Sequence, residues 1–169
     1  MIRVLNHLEI KKFKKNDITK EYIKFINDKY NLRFSDQRHE NYNYQKCLNY
    51  LNTFKKSNNF FLKIVEKKKM IGTLTCYIDK YNKNVQIGFL IGQKVNQNKG
   101  YVSKILKKLI LYFFKKKYKK ISCGTVDINK AMISVCRKNN MVLDAKLSKE
   151  KLIGKKFHDV LIYSIFNKK

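Results

Sequence analysis

The chain has 169 residues and a formal net charge of +27, a length that suits one domain over residues 1–169, since no Pro-, Gly- or Ser-rich linker divides it. There is no apolar run of about 18 residues, no apolar leader and no internal repeat of about 20 to 50 residues, which excludes a membrane-spanning helix and a solenoid; the expectation is a cytoplasmic protein with no membrane partner. Its four cysteines, Cys47, Cys76, Cys123 and Cys136, form no CxxC pair, so reduced thiols are expected and neither a metal site nor a disulfide framework.

Arg3 to Phe13 can form a first strand. Thr19 is placed to N-cap a helix running to about Asp28, with Tyr22, Phe25 and Ile26 on one face. Asn31 to His39 is polar and aperiodic and reads as a loop. Tyr44, Cys47, Leu48, Leu51 and Phe54 share a stripe, which predicts a second helix over 44–54. Three strands follow, Phe60–Glu66, Ile71–Asp79 and Val85–Gly92, joined by turns at Lys67-Lys68-Lys69 and Asn82-Lys83-Asn84 with the spacing of an antiparallel meander. Val102, Ile105, Leu106, Leu109, Ile110 and Phe113 then recur at helical spacing within 101–117. A strand over 120–126, a helix over 129–139 and strands over 141–149 and 157–166 complete the order. Strand, helix and strand between 85 and 126 imply one parallel pair with a right-handed crossover in an otherwise antiparallel sheet.

The turn Gln97-Asn98-Lys99-Gly100-Tyr101-Val102 sits at the start of the 101–117 helix. Unpaired backbone N–H groups and the positive end of the helix dipole attract phosphate there, Gly100 permits close approach and Lys99 adds charge. Gln97-x-x-Gly100-x-Val102 resembles the pyrophosphate loop of the GNAT superfamily of acetyl-CoA-dependent N-acetyltransferases, with Val102 where Gly or Ala is usual. Asn129, Ala131, Val135 and Lys138 resemble the family's following Asn-to-Gly-Phe helix, from which Met132, Cys136, Asn140 and Met141 depart. Gly154 to Tyr163 is similar to the terminal hairpin of the branch that acetylates ribosomal-protein N-termini and amino sugars. The likeness spans about residues 60 to 166. It implies an α/β (α+β) GNAT fold: a mixed, mostly antiparallel six- to seven-stranded sheet with a splayed parallel pair, about four helices and acetyl-CoA as co-substrate without a metal.

In the resembled family the pantetheine arm bonds to unpaired backbone of the first parallel strand, here Phe89, Leu90 and Ile91, and the pyrophosphate to the 97–102 turn. Asn129 is either a cofactor ligand or a helix N-cap; the sequence leaves both open. Cys136 stands where the family often has a Tyr acid, and a thiol can donate a proton, although a buried structural Cys is the competing reading. Gln86 stands where some members have a basic Glu, and an amide cannot take up a proton. A base must then come from Asp127, Asp36, His39 or His158, or from water.

Arg33 and Arg38 are two of only four arginines among 39 basic residues, which suggests bidentate recognition of an anion by the 33–39 loop. We assign Arg33, Ser35, Asp36, Gln37, Arg38 and His158 to the acceptor, expected to be a small molecule, a nucleotide-linked amino sugar of surface-glycan biosynthesis. Acetylation of a protein N-terminus is the alternative. A basic nucleic-acid-binding module on a non-catalytic scaffold of this type is a third, prompted by the charge. It is disfavoured, because the lysines are dispersed rather than gathered with aromatic residues, and the wealth of Lys, Asn, Ile, Tyr and Phe looks like AT-rich coding. A homodimer is compatible with the sequence.

Overall fold

A computed structural model of the chain describes residues 2–92 and 99–168. In chain order these form β1 (Ile2–Leu5), β2 (Leu8–Lys12), α1 (Lys20–Ile26), α2 (Lys29–Leu32), α3 (Tyr44–Lys55), β3 (Phe60–Glu66), β4 (Lys69–Asp79), β5 (Asn84–Ile91), α4 (Tyr101–Lys115), β6 (Lys120–Val126), α5 (Lys130–Lys138), β7 (Val142–Ile153) and β8 (Lys156–Phe166). The eight strands make one sheet in the order β1-β2-β3-β4-β5-β6-β8-β7. The fold is the expected mixed one, with a strand and a helix more than the sequence suggested. The expected first strand is a hairpin, β1 and β2, because the two polar residues Asn6 and His7 turn the chain and pair Leu5 with Leu8. The expected 31–39 loop begins inside α2, whose N-cap Asp28 accepts from the Tyr30 and Asn31 amides, and ends in a 3-10 turn, Asp36–His39, capped by Ser35.

The chain divides into two compact units, one built from the residues up to Thr75 with the stretch beginning at Phe89, the other from Cys76–Gly88 and the described residues from Lys99 onward. In the first, β2 pairs antiparallel with β3 from Leu8↔Glu66 to Lys12↔Leu62. Thr19 caps α1 by accepting from the Tyr22 amide, and Asn43 caps α3 by accepting from Lys46. The apolar stripes of these helices close a core of Phe13, Tyr22, Ile26, Leu32, Cys47, Leu51 and Phe61, with Leu90 packed against it. The Phe13 ring lies 4.6 Å from Phe61 and 4.8 Å from Tyr22; each such aromatic side chain stabilises the unit by about 1.5–3 kcal/mol on burial. Tyr44, on the predicted stripe, is instead exposed.

Two close approaches fix the end of β5 within that unit. A Cβ on Gly72 of β4 would lie 2.4 Å from the carbonyl oxygen of Leu90, and one on Gly92 would meet the Phe25 ring at 2.4 Å. The Gly92 amide donates to the Ile71 carbonyl. By the alternation of an antiparallel ladder, the main-chain groups of Ile91 therefore point away from β4.

In the second unit β6 pairs antiparallel with β8 from Lys120↔Phe166 to Val126↔Val160, and β8 turns back onto β7. The parallel register of β5 with β6 covers Asn84↔Lys120, Val85↔Ile121 and Gln86↔Ser122, and ends there among the described residues. α4 buries Tyr101, Ile105, Leu106, Leu109, Ile110 and Phe113, so Tyr101 takes the place that the spacing gave to Val102. Both helices of this unit end in a left-handed residue without a glycine. After α4 the Tyr118 amide donates to the Phe113 carbonyl and Lys117 to Phe114; after α5 Met141 donates to Cys136 and Asn140 to Arg137. With Lys117 at φ 62 and Asn140 at φ 57, both are Schellman endings.

Candidate active site

The N-cap of α4 is Gly100, at φ 71 and ψ 9, with no acidic residue in the first turn and, among the described residues, no side-chain cap. Among the described residues nothing lies within 4 Å of where a Gly100 Cβ would be. The first intrahelical bond runs from the Lys104 amide to the Gly100 carbonyl, so the amides of Tyr101, Val102 and Ser103 are the ones a helix start leaves for an outside acceptor. Lys99 holds its ammonium 5.6 Å from the centre of the Tyr101 ring. Helix-start amides beside a glycine and a cation suit a phosphate group. Gln97 and Asn98 of the predicted loop lie outside the described residues.

Sequence reasoning missed what steadies this turn. Asn139, buried at the end of α5, donates through Nδ2 to the Ser103 hydroxyl at 2.9 Å and to the Val135 carbonyl at 2.8 Å. Nothing local announces this contact, since its partners are 36 positions apart.

The start of α5 is the opposite of α4. Asn129 accepts from the Met132 amide at 3.3 Å and donates to the Thr125 hydroxyl at 2.9 Å, so both halves of its side-chain amide are used within the unit. Of the two readings left open, the structure displays the cap. Two residues earlier, where β6 ends, the Asp127 carboxylate lies 3.0 Å from Nδ1 of His158 on β8. The Asp127 amide donates to the Asp159 carbonyl, extending the β6–β8 pairing and holding the two side chains at one level. Asp159 itself faces Lys146 at 2.8 Å and accepts from the Lys149 amide at 2.8 Å; those bonds hold its carboxyl below the usual range, Lys146 contributing most.

Cys136 is fully buried on α5. Its sulfur accepts from the Cys123 thiol, which lowers the Cys136 pKa and, with burial, raises that of Cys123 well above the ordinary range. Cys76, also in this unit, is pushed up to about 12 by burial. The thiol at the family's Tyr position thus faces other sulfur in the core rather than a cleft. Gln86 is exposed, and Phe89, Leu90 and Ile91 are half-buried.

In the first unit the 33–39 loop, expected to meet the acceptor, folds on itself. Arg33 donates to the Tyr30 carbonyl and lies over the Tyr30 ring at 4.0 Å and the Phe34 ring at 4.8 Å. Arg38 donates to the Ser35 carbonyl at 2.7 Å and lies 3.6 Å from Asp36. The Ser35 hydroxyl accepts from the Gln37 amide, while Asp36 and His39 are exposed. Both guanidinium groups therefore serve the loop's own shape. Among the described residues no cluster of three or more His, Cys, Asp or Glu is placed to hold a metal ion, and no helix is long and apolar enough to cross a membrane.

A family model described as Acetyltransferase (GNAT) domain matches residues 7–142. Among solved structures, the chain is similar to RimL, a ribosomal L7/L12 alpha-N-protein acetyltransferase in complex with coenzyme A, with 18% identity over 98% of this chain and 97% of that one and a TM-score of 0.88. It is similar to the microcin C7 self-immunity acetyltransferase MccE in complex with acetyl-CoA and AMP, with 20% identity over 98% and 95% of the two chains and a TM-score of 0.86. A spermidine N-acetyltransferase from Vibrio cholerae, in complex with CoA and spermine, gives 16% identity over 98% of each chain and a TM-score of 0.84. No curated protein matches the sequence.

Proposed function

The chain belongs to the GNAT acetyltransferase family, and from that premise we propose that it transfers the acetyl group of acetyl-CoA to the primary amine of an anionic small molecule, a nucleotide-linked amino sugar in the first instance. The observation that carries the cofactor assignment is the start of α4 at a left-handed Gly100, with no side-chain cap among the described residues. There the diphosphate would accept from the Tyr101, Val102 and Ser103 amides with Lys99 beside it. Main-chain groups of β5 between Phe89 and Ile91 would bond the amides of the pantetheine arm. The bound thioester supplies an electrophilic carbonyl carbon. The acceptor amine attacks it, a C–N bond forms as the C–S bond breaks, and the thiolate leaves with the electron pair. Coenzyme A thiolate is a fair leaving group, so orientation of the amine supplies much of the rate.

Charge guides the choice of acceptor. A field from +27 net charges draws in an anion and repels a polycation, which sets this chain apart from an enzyme acting on spermidine. A nucleotide carrying an amino sugar combines the required amine with phosphate. One observation favours a second reading, acetylation of a protein N-terminus: Arg33 and Arg38 are engaged within their own loop, so that loop offers a sugar diphosphate less than its sequence promised.

The test is thiol release from acetyl-CoA by the purified chain with a panel of nucleotide-linked amino sugars, N-terminal peptides and polyamines. Turnover with sugars is expected; turnover with peptides alone rejects the sugar, and with polyamines alone rejects the charge argument.

A further inference from the structure

The pair formed by Asp127 and His158 does more than close the terminal hairpin. Asp127 follows directly on the last residue of β6, and α5 opens three positions later. In sheets with parallel strands this is the end at which ligands collect. The other end of α5 reaches the open turn of α4 through Asn139 and Ser103. Nine residues of helix span about 13 Å, a separation that a phosphopantetheine arm can bridge. A group at Asp127 therefore lies where the thioester end of a cofactor anchored at Gly100 can arrive.

The geometry fixes which nitrogen of His158 is available. An ionised carboxylate only accepts, so Nδ1, 3.0 Å from Asp127 Oδ1, carries the proton. In the neutral ring Nε2 is then the basic nitrogen. Among the described residues no buried side-chain nitrogen or oxygen lacks a partner, and the contacts of His158 run through Nδ1 to Asp127. Among the described residues Nε2 has no hydrogen-bond partner, and the side chain is 16% exposed. A half-buried imidazole oriented by a carboxylate on one nitrogen and unbonded on the other is the arrangement of a general base.

We propose that His158 Nε2 accepts the proton of the acceptor ammonium and that Asp127 is its positioning residue; this rests on the acetyl-transfer reading above. The ammonium gives one proton to Nε2 and becomes a neutral amine, which attacks the thioester carbonyl carbon. As the C–S bond breaks, the second proton lost by the nitrogen goes to the departing thiolate. The imidazolium is stabilised by Asp127 until it releases its proton to water. The charged groups nearby are Asp159, the next residue on β8, with Lys146 paired to it, Lys151 opposite His158 on β7, and Lys130 on α5, whose ammonium donates to the Asp127 carbonyl at 3.1 Å.

The experiment compares wild type, His158→Gln and Asp127→Asn in acetyl transfer against pH, in coenzyme A affinity by calorimetry, and in the tautomer of His158 by long-range ¹⁵N–¹H NMR. Expected are a loss on the order of 10²-fold or more in kcat for His158→Gln with the acid limb of the kcat/KM profile gone, unchanged coenzyme A affinity, and a wild-type ring protonated on Nδ1 that loses this bias in Asp127→Asn. If His158→Gln stays active with the same acid limb, or the wild-type ring is protonated on Nε2, this assignment is overturned while acetyl transfer stands. Wild type that acetylates nothing in the panel overturns both.

Discussion

Asn139 on α5 holds Ser103 on α4 through a 2.9 Å hydrogen bond from its side-chain amide to the hydroxyl. Because Ser103 is in the first turn of α4, this one bond links the end of one helix to the candidate phosphate site at the start of another. Replacing Asn139 by Ala removes this bond and the one to Val135, a loss of about 2 kcal/mol at roughly 1 kcal/mol per buried bond. Freed of its tether, the turn should bind diphosphate less well, raising KM for acetyl-CoA about fivefold, the equivalent of roughly 1 kcal/mol, with a smaller change in kcat. Thermal melting and steady-state kinetics on the same preparation check this. A lower Tm with unchanged KM would show that the bond serves stability alone.

Left-handed residues offer a second test. Lys117 and Asn140 close α4 and α5 at φ 62 and φ 57, a conformation that crowds a side chain's Cβ and that glycine adopts freely. Lys117→Gly and Asn140→Gly should each stabilise the chain by about 0.5–1 kcal/mol once the extra freedom of unfolded glycine is subtracted, raising Tm by roughly 1–4 °C. The two turns bond different carbonyls, Phe114 for Lys117 and Arg137 for Asn140, so the double variant should show the sum. Differential scanning calorimetry reads this directly, and a fall in Tm would show that these side chains make contacts outweighing their backbone strain.

The same residues explain what could be read from sequence. Elements with a strong period, such as α4 with Ile105, Leu106, Leu109, Ile110 and Phe113, were legible because burial repeats with the helix. Where glycine is usual, this lysine- and asparagine-rich chain uses other residues: Lys67 and Lys68, both at positive φ, make the two-residue link between β3 and β4 within the turn expected at 67–69, and Asn140 takes the place of the family's Gly. The hairpin at Asn6 and His7 and the single turn of α2 were too short for any period to build up. At the site, Gly100 was visible as a strand-to-helix turn. The bonds from Asn139 to Ser103 and from His158 to Asp127 join residues 36 and 31 positions apart, a product of packing that no local pattern encodes. Arg33 shows the converse: its type suggested a ligand, and the fold directs it to Tyr30 and Phe34.

Acid should loosen the start of β7. The Asp144 carboxylate accepts from the Lys120 ammonium and from the buried Ser164 hydroxyl, and these bonds, Lys120 first, lower its pKa from the ordinary carboxylate value. A carboxyl with a lower pKa folded than unfolded contributes its full stabilisation above the unfolded value of about 3.9 and loses it as pH falls through the folded value. Asp144→Asn should therefore melt below wild type at pH 7, and the gap should narrow as pH drops below about 4. Melting curves between neutral and acid pH decide the matter; a gap that stays constant would mean that Asp144 does not act through its charge.

Gly72 and Gly124 separate a glycine that is required from one that is merely present. A methyl group on Gly72 would stand 2.4 Å from the Leu90 carbonyl oxygen, which is backbone and belongs to the strand end proposed to bond the pantetheine arm. On Gly124 it would stand 3.2 Å from the Ile162 Cδ1, the free end of a flexible side chain. Gly72→Ala should thus destabilise by about 1–3 kcal/mol as an overpacked site does, and by pushing the β5 backbone aside should raise KM for acetyl-CoA several-fold. Gly124→Ala should stay within about 0.5 kcal/mol of wild type, with unaltered kinetics. Both variants are read by chemical denaturation and by KM. Equal behaviour of the two would remove the end of β5 from the cofactor argument, because displacing its backbone would then have been without effect.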